Sequence, residues 1–171
     1  MPKNSKKKEK EKNMSVYEEK HALYRNYLDE LDTFRKEPER ISDESCRKIC
    51  DWYISSKKSS WHNIKDLETD KLVGFVIIGK EVPEKHPDSV RSVAQAYVLP
   101  EYRNRGLVTE VMSDYMTRHK GIYSLLVLKG NTYAAGFWKR FFEKEGYEEK
   151  KLRPVNILDD EAVMYAYGPK D

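Results

Sequence analysis

The chain has 171 residues, of which 39% are hydrophobic and 36% are charged, and its net charge is +3. This length suits one domain with a sizeable core, and this composition is that of an ordinary soluble protein with a highly charged surface. The longest apolar run, residues 72–79, is far too short to cross a bilayer, and the lysine-rich start lacks the apolar segment of a secretory signal. We therefore expect a cytoplasmic protein that does not act at a membrane.

The positive charge is concentrated at the N-terminus. Residues 1–13 contain six Lys and two Glu, a balance of +4 that leaves −1 for residues 14–171. A Lys/Glu segment that has no apolar residue after Met1 cannot bury enough surface to offset its chain entropy, which predicts a disordered tail over residues 1–13. The remaining residues, 14–171, are predicted to form a single domain. Since that domain has no basic excess, nucleic acid is not an expected partner.

Two amphipathic helices are predicted before the first strand. Apolar residues at steps of three and four indicate a helix over residues 16–35, which ends before Pro38. A second helix is predicted to begin at Ser42, whose hydroxyl can cap the first turn. Asp43 and Glu44 then lie near the positive end of this helix, where their charge is favourable.

The cysteines and histidines do not form a metal-binding pattern. Cys46 and Cys50 are four residues apart, which places them on one helical face and makes a disulfide between them geometrically awkward. The four histidines have no ligand spacing and are scattered along the chain, at positions 21, 62, 86 and 119. We therefore predict two buried thiols and no metal.

The rest of the chain alternates strands and helices. Residues 61–68 and 72–80 are predicted to form a hairpin, whose second arm is apolar on both faces and should be central in a sheet. Further strands are predicted at 91–99, 123–128, 147–153 and 161–168, helices at 106–119 and 133–145, and polar loops at 80–89 and 154–160. Because a helix joins the strands at 91–99 and 123–128, we expect those two strands to be parallel.

An anion-binding site is predicted where the strand at 91–99 ends. Pro100 stops the pairing of that strand, and Arg103, Arg105 and Gly106 precede the next helix. The first N–H groups of a helix have no partner within it, and a glycine lets the backbone approach a ligand closely. The pattern therefore predicts a phosphate or pyrophosphate site.

The same region resembles a family signature. Residues 103–108, R-x-x-G-x-V, resemble the Q/R-x-x-G-x-G/A acyl-coenzyme A signature of the GCN5-related N-acetyltransferases, the GNAT superfamily. Residues 131–138, N-x-x-A-x-x-F-W, resemble the N-x-x-A-x-x-F-Y of that family, and the Gly-Tyr pair at 146–147 resembles its later G-F. The similarity extends over residues 61–168.

The resemblance implies a fold and an activity. The fold is α/β (α+β), with a central mixed, mostly antiparallel, twisted sheet of six to seven strands flanked by about four helices. The activity is that of an N-acetyltransferase, in which a primary amine attacks the thioester of acetyl-coenzyme A directly. We expect a small-molecule amine as acceptor and acetyl-coenzyme A as the acyl donor. The short strand that the family places before its first helices is not visible in the sequence, and a homodimer through the late strands stays open.

The chemistry of coenzyme A suggests which residues hold it. Its pyrophosphate is a compact dianion that parallel N–H donors can bind without a metal, and its pantetheine arm can pair with an exposed strand edge. Asn131 can offer its amide to that arm or can simply cap the next helix, and Trp138 can line the thioester pocket or pack in the core. The predicted cofactor-binding residues are Val98, Leu99, Arg103, Asn104, Arg105, Gly106, Leu107, Val108, Asn131 and Trp138.

The proton-transfer groups depart from the family pattern. Acetyl transfer needs a base for the amine, a donor for the oxyanion and an acid for the departing thiolate. A backbone N–H near Val98 is the predicted oxyanion donor, whereas Ala94 and Gln95 stand where many relatives carry Glu or Asp. Relatives often have a tyrosine in the helix after Asn131. Counting forward from Asn131 puts Trp138 at that position, whereas counting back from Gly146 puts Phe142 there. The predicted catalytic residues are therefore Tyr97 first and Tyr133 second.

Two other classes of function remain open. A non-catalytic acyl-coenzyme A sensor or regulatory domain would keep the phosphate site and lose the proton-transfer groups, as this chain does. A nucleic-acid module built around residues 1–13 would bind through its lysines in a salt-dependent way. Release of thiol from acetyl-coenzyme A in the presence of an amine separates the enzyme from both.

Overall fold

The computed structural model describes residues 3–80, 91–151 and 159–171, with residues 3–15 as backbone only. Its helices and strands alternate in an order close to that predicted from the sequence. They are α1 (Lys3–Asp32), α2 (Asp43–Ser55), β1 (Ser59–Lys65), β2 (Leu72–Gly79), β3 (Arg91–Val98), a 3₁₀ turn (Pro100–Tyr102), α3 (Leu107–Arg118), β4 (Tyr123–Leu128), α4 (Thr132–Lys144), β5 (Tyr147–Glu149) and β6 (Ala162–Pro169).

The strands form one mixed sheet in the order β1-β2-β3-β4-β6-β5. The pairs β1–β2, β2–β3, β4–β6 and β5–β6 are antiparallel. The pair β3–β4, which α3 connects, is parallel. The described residues thus form six strands, mostly antiparallel, and four helices, which confirms the fold class predicted from the sequence.

The sheet opens between β3 and β4. These strands pair only at their first residues, Arg91 with Tyr123 and Ser92 with Ser124. The register of β3 against β2 shifts at Ala94, which has no partner and forms a bulge. A bulge bends its strand and increases the local twist. A gap therefore separates the C-terminal halves of β3 and β4.

Two hydrophobic clusters lie on opposite faces of the sheet. On one face, α1 and α2 contribute Tyr24 and Cys50, which pack with Phe75 of β2. On the other, α3 and α4 contribute residues such as Met112 and Phe142. Every residue of β2 is buried, as expected of a central strand with a core on each side.

The first helix starts earlier than predicted. The sequence predicted a disordered tail over residues 1–13 and a helix from residue 16, whereas the backbone is helical from Lys3. Lys and Glu have good helix propensity, and extending an existing helix costs less than starting one. Low hydrophobicity argued for disorder, but it does not oppose helical backbone in a segment joined to a packed helix. The division between a tail and a single domain from residue 14 stays a prediction.

The second helix begins as predicted. Ser42 is the N-cap of α2, and its side chain accepts a hydrogen bond from the Ser45 N–H at 3.1 Å. Cys46 and Cys50 are both buried and free. Most of each predicted polar loop, 80–89 and 154–160, lies outside the described residues, as does the end of the strand predicted at 147–153.

The described residues contain neither a membrane-spanning helix nor a cluster of metal-binding side chains. Within them, no helix combines the length and the apolar character needed to cross a bilayer. The same residues contain no group of three or more His, Cys, Asp or Glu side chains that could hold a metal ion.

Candidate active site

Residues 103–108 form a concave turn that we call the cradle. It consists of the end of the loop after β3 and the first two residues of α3. Asn104 has a φ of 60° and Gly106 a φ of 71°, so both adopt the left-handed region. Asparagine is one of the few residues besides glycine that visits this region readily. Turns of this kind collect backbone N–H groups into a concave surface that favours anions.

Gly106 leaves these N–H groups open to a ligand. It is the N-cap of α3 and has no side chain to accept the first helical N–H groups, such as those of Leu107 and Val108. A Cβ built at Gly106 would meet no atom within 4 Å. Packing therefore does not require a glycine here, whereas the positive φ and access to the N–H groups do.

Arg103 fixes the end of β3 to the first helix. Its Nε donates to the Val98 carbonyl oxygen at 2.8 Å, and its Nη2 donates to Glu30 Oε2, also at 2.8 Å. Its guanidinium carbon lies 5.5 Å from the centre of the Tyr97 ring. Arg103 lies in the wall of the predicted site, but its charge is already balanced by Glu30.

Two other cradle residues differ in their contacts. Arg105 is exposed and donates to the Glu101 carbonyl oxygen at 3.1 Å, and its guanidinium carbon lies 5.1 Å from the centre of the Tyr102 ring. Asn104 Oδ1 accepts a hydrogen bond from the Tyr133 hydroxyl at 3.2 Å, which ties the cradle to α4. Of the two predicted arginines, Arg105 is therefore the one without a carboxylate partner among the described residues.

A cavity of about 390 Å³ joins the cradle to the gap between β3 and β4, and we call it the cofactor cavity. Leu99 is the one predicted site residue outside its wall. The other eleven are Tyr97, Val98, Arg103, Asn104, Arg105, Gly106, Leu107, Val108, Asn131, Tyr133 and Trp138.

The backbone of β3 explains why Leu99 is outside. The Leu99 N–H donates to the Val73 carbonyl oxygen of β2 at 2.9 Å, so it is not free to bind a ligand. Because successive residues of a strand point their backbone groups to opposite sides, Ala96 and Val98 point theirs away from β2. The structure therefore uses the Leu99 N–H within the sheet, and the contact predicted for Leu99 stays a prediction. It leaves the Val98 N–H and the backbone of Ala96 on the side of the gap.

Several wall residues were missed from the sequence. Glu30 and Phe34 come from α1, and Arg140 comes from α4. No motif points to the α1 residues, because their place depends on how α1 packs on the sheet. Arg140 could have been found, since Tyr133, Phe137 and Arg140 follow steps of four and three and so share one face of α4.

Tyr97, the first predicted catalytic residue, is buried next to the gap. Its ring packs against Tyr27 and Phe75, with centroids 6.0 and 6.1 Å away. Burial raises the pKa of Tyr97 above its ordinary value, and the nearby Glu30 carboxylate raises it further. Its phenol therefore keeps its proton at neutral pH and can act only as an acid.

Tyr133, the second predicted catalytic residue, lies at the cradle. Its side chain is 60% exposed, and its hydroxyl already donates to Asn104. It lines the same cavity as Tyr97. Its hydrogen bond to Asn104 places it on the cradle side of the cavity rather than at the gap.

The structure distinguishes Trp138 from Phe142. Trp138 lines the cofactor cavity at the gap. Phe142 is fully buried and stacks on Tyr167, with ring centroids 4.5 Å apart. The position counted forward from Asn131, Trp138, is therefore the one in the cavity wall. The position counted back from Gly146, Phe142, is a core residue. Asn131 Oδ1 accepts from the Ala134 N–H at 3.1 Å, so it caps α4 and also lines the cavity.

A second cavity, of about 220 Å³, lies on the α1 side of the gap, and we call it the acceptor groove. Tyr27, Gln95 and Asn131 contribute uncharged polar groups to its wall. Arg35 and Asp159 form an ion pair there at 2.8 Å. The two cavities meet at the gap and share the residues Ala96, Asn131, Ala134 and Trp138.

Proton acceptors are scarce in both walls. Ala94 is the bulge residue, and Gln95 donates through Nε2 to the Tyr53 hydroxyl at 3.5 Å. Among the described residues, the carboxylates of the two walls are Glu30 and Asp159, and each is paired with an arginine. The hydrogen bond from Arg35 lowers the pKa of Asp159, which makes that carboxylate a weaker base.

Several solved structures share the fold of this chain. The chain resembles an acetyltransferase from Thermus thermophilus, with 14% identity, 85% of this chain and 86% of that chain covered, and a TM-score of 0.59. Tetrahymena GCN5 is 14% identical, with coverages of 91% and 88% and a TM-score of 0.56. A spermidine N-acetyltransferase from Vibrio cholerae, in complex with CoA and spermine, is 16% identical, with coverages of 86% and 85% and a TM-score of 0.53.

At sequence identities this low, structural similarity shows only that the fold is shared. Among curated proteins, none matches the chain. The model of the Acetyltransferase (GNAT) family, however, matches residues 21–143, which include the cradle, the gap and most of α4. This chain therefore belongs to the GNAT acetyltransferase family.

Proposed function

We propose that this protein transfers the acetyl group of acetyl-coenzyme A to a primary amine of a small molecule. The observation that carries the proposal is the continuity of the cofactor cavity, which runs from open helical N–H groups at one end to a gap in the sheet at the other. An elongated thioester with a diphosphate in its middle matches this arrangement. When bound, acetyl-coenzyme A supplies the activated acetyl group.

The cradle binds the diphosphate through backbone donors. The N–H groups from Arg105 to Val108 and the positive end of α3 act on the same anion, and Arg105 adds a charge. The open space at Gly106 is consistent with this role, since no atom of the described residues lies within 4 Å of a Cβ built there. No metal is needed, because the negative charge is met by several N–H groups and a guanidinium.

The edge of β3 positions the pantetheine arm and the thioester. The Ala96 backbone and the Val98 N–H point toward the gap, where an extended chain can pair with them as an added strand would. The Val98 N–H is also the donor for negative charge that develops on the thioester oxygen. Arg103 holds the Val98 carbonyl at 2.8 Å and thereby keeps this donor in position.

The acceptor amine enters from the opposite face through the acceptor groove. A groove of about 220 Å³ suits a small molecule better than a folded protein. One structural relative is a spermidine N-acetyltransferase in complex with CoA and spermine, which is compatible with a small amine here. The apolar part of the wall, which includes Leu126 and Leu128, also suits an acceptor that has an apolar portion.

Tyr97 is the proposed acid, with Tyr133 as the second candidate. The raised pKa of Tyr97 keeps its phenol protonated, so it can donate to the departing thiolate. The amine has no carboxylate at positions 94 and 95 to accept its proton. We therefore propose that the proton leaves through water in the groove and that the free amine is the form that reacts.

The second candidate function is a non-catalytic acyl-coenzyme A sensor. The absence of a carboxylate at Ala94 and Gln95 and the tryptophan at position 138 favour it, since a sensor needs the cradle and not the proton-transfer groups. A thiol-trapping reagent distinguishes the two. Steady thiol release from acetyl-coenzyme A that depends on added small amines supports the enzyme. Tight binding without release supports the sensor, and a lack of binding contradicts both.

A further inference from the structure

Arg140 of α4 is a cation that the proposed reaction does not use. It is exposed and, in the described part of the chain, has no hydrogen-bond or ion-pair partner. It lines the cofactor cavity, and it also lines a neighbouring groove of about 560 Å³, which we call the α3–α4 groove. Arg140 therefore lies where two cavities meet.

A glycine in α4 leaves space for the guanidinium of Arg140. Gly136 lies one turn earlier, and a Cβ built there would be 3.0 Å from Arg140 Nη1. Glycine is a poor helix former, so its presence inside α4 is not explained by helix propensity. The missing side chain leaves a space in which the guanidinium lies back along α4, toward the N-terminal end of the helix and the cofactor cavity.

The α3–α4 groove can hold a flat base beside a phosphate. Phe137 and Phe141 form its apolar wall, and their rings are nearly parallel with centroids 6.3 Å apart. Aromatic faces stack on nucleobases, and a guanidinium binds phosphate oxygens with two parallel hydrogen bonds. The charged and polar residues of this wall are Thr109, Arg140, Glu143, Lys144 and Glu145.

Coenzyme A extends in two directions from its diphosphate. The pantetheine arm lies on one side, and the 3′-phosphorylated adenosine lies on the other. With the diphosphate in the cradle and the arm directed to the gap, the adenosine must leave on the other side of the cradle. Thr109 and Arg140 border both the cofactor cavity and the α3–α4 groove, so the groove continues from the cradle on that side.

We propose that Arg140 binds the 3′-phosphate of coenzyme A and makes the protein prefer coenzyme A over its 3′-dephospho form. This inference rests on the proposed function, because it takes the position of the diphosphate from it. Since Arg140 is exposed, the interaction is screened by salt and weakens as ionic strength rises.

Calorimetric titration of the full-length protein with coenzyme A and with 3′-dephospho-coenzyme A tests the proposal. A charge-assisted contact of this kind gives a preference of about tenfold for coenzyme A in the wild type at low salt. Arg140→Gln should bring the ratio of the two dissociation constants close to one. Lys139→Gln is the matched control, because it removes the same charge from the next exposed residue of α4, which lines neither cavity.

A second variant tests whether the space beside Gly136 positions the Arg140 guanidinium. Gly136→Ala places a methyl group against the guanidinium in a helix that alanine favours, so it should reduce the ratio while the protein stays folded. An unchanged ratio in Arg140→Gln, or equal binding of both ligands by the wild type, would overturn the inference and leave the proposed function standing. Binding of neither ligand would overturn both together.

Discussion

Gly106→Val is the substitution that tests the cradle most directly. In the free protein the new side chain meets open space, because no atom lies within 4 Å of a Cβ at this position. The cost to the fold is therefore mainly the left-handed conformation, with φ at 71°, which a side chain disfavours by about 1–2 kcal/mol. For a domain of this size we expect the melting temperature to fall by about 2–8 °C.

The cost to coenzyme A binding should be larger. The branched side chain projects into the space over the first N–H groups of α3, and each charge-assisted hydrogen bond lost costs about 1.5–3 kcal/mol. Blocking one or two donors should raise the dissociation constant by at least about tenfold in calorimetry. Gly146→Val is the control, because Gly146 has a φ of 80°, has open space at its Cβ, and lines none of the three cavities.

Comparing Gly106→Val with Gly146→Val separates an effect on coenzyme A binding from an effect on stability. Both should lose similar stability, and only Gly106→Val should lose affinity. If Gly106→Val binds coenzyme A as the wild type does, the cradle does not hold the diphosphate. If both variants lose affinity equally, the effect comes from stability and not from the cradle.

The remaining predictions concern the reaction and the fold. Tyr97→Phe should lower kcat by about 10²-fold in steady-state kinetics without raising KM for acetyl-coenzyme A, and an unchanged kcat would exclude Tyr97 as the acid. Because the free amine is the reacting form and the pKa of Tyr97 is raised, log(kcat/KM) should rise with unit slope as the pH increases to the pKa of the amine, near 10. A plateau near neutral pH would reveal a base in the protein. Trp138→Tyr should raise kcat if residue 138 lies beside the sulfur, whereas a change in melting temperature alone would make it a core residue. Ser42→Ala removes the N-cap of α2 and should lower the free energy of unfolding by about 1 kcal/mol in urea denaturation, with no change expected in coenzyme A binding.

Features with a local cause could be predicted from the sequence. The cap at Ser42, the start of α3 after Gly106 and the extent of β4 follow from short-range rules of capping, backbone freedom and hydrophobic period. The cradle was predicted for the same reason, because the residues that build it are consecutive. The parallel pairing of β3 with β4 was also predictable, since a helix between two strands makes parallel pairing the expected outcome.

Features that depend on tertiary contacts could not be predicted from the sequence. Glu30 reaches the cofactor cavity only because α1 packs across β2 and β3, and no pattern around residue 30 shows this. The bonds of Arg103 to Glu30 and to the Val98 carbonyl are likewise not visible in the sequence. The gap itself comes from a bulge at Ala94, a small residue in a strand with no turn signal near it.

Arg103 connects these unpredicted features. Through Glu30 it binds α1, whose residues Tyr27 and Leu31 line the acceptor groove, and through the Val98 carbonyl it binds the strand edge that lines the cofactor cavity. Arg103 therefore links the walls of the two cavities at a point where the sheet is open, in addition to the packing of α1 on β2 and β3. A ligand that shifts the end of β3 therefore acts on α1 through Arg103 and through the ring contact between Tyr97 and Tyr27. Because the pair is partly exposed, with side-chain exposures of 30% for Arg103 and 34% for Glu30, it can orient both elements without holding them rigidly.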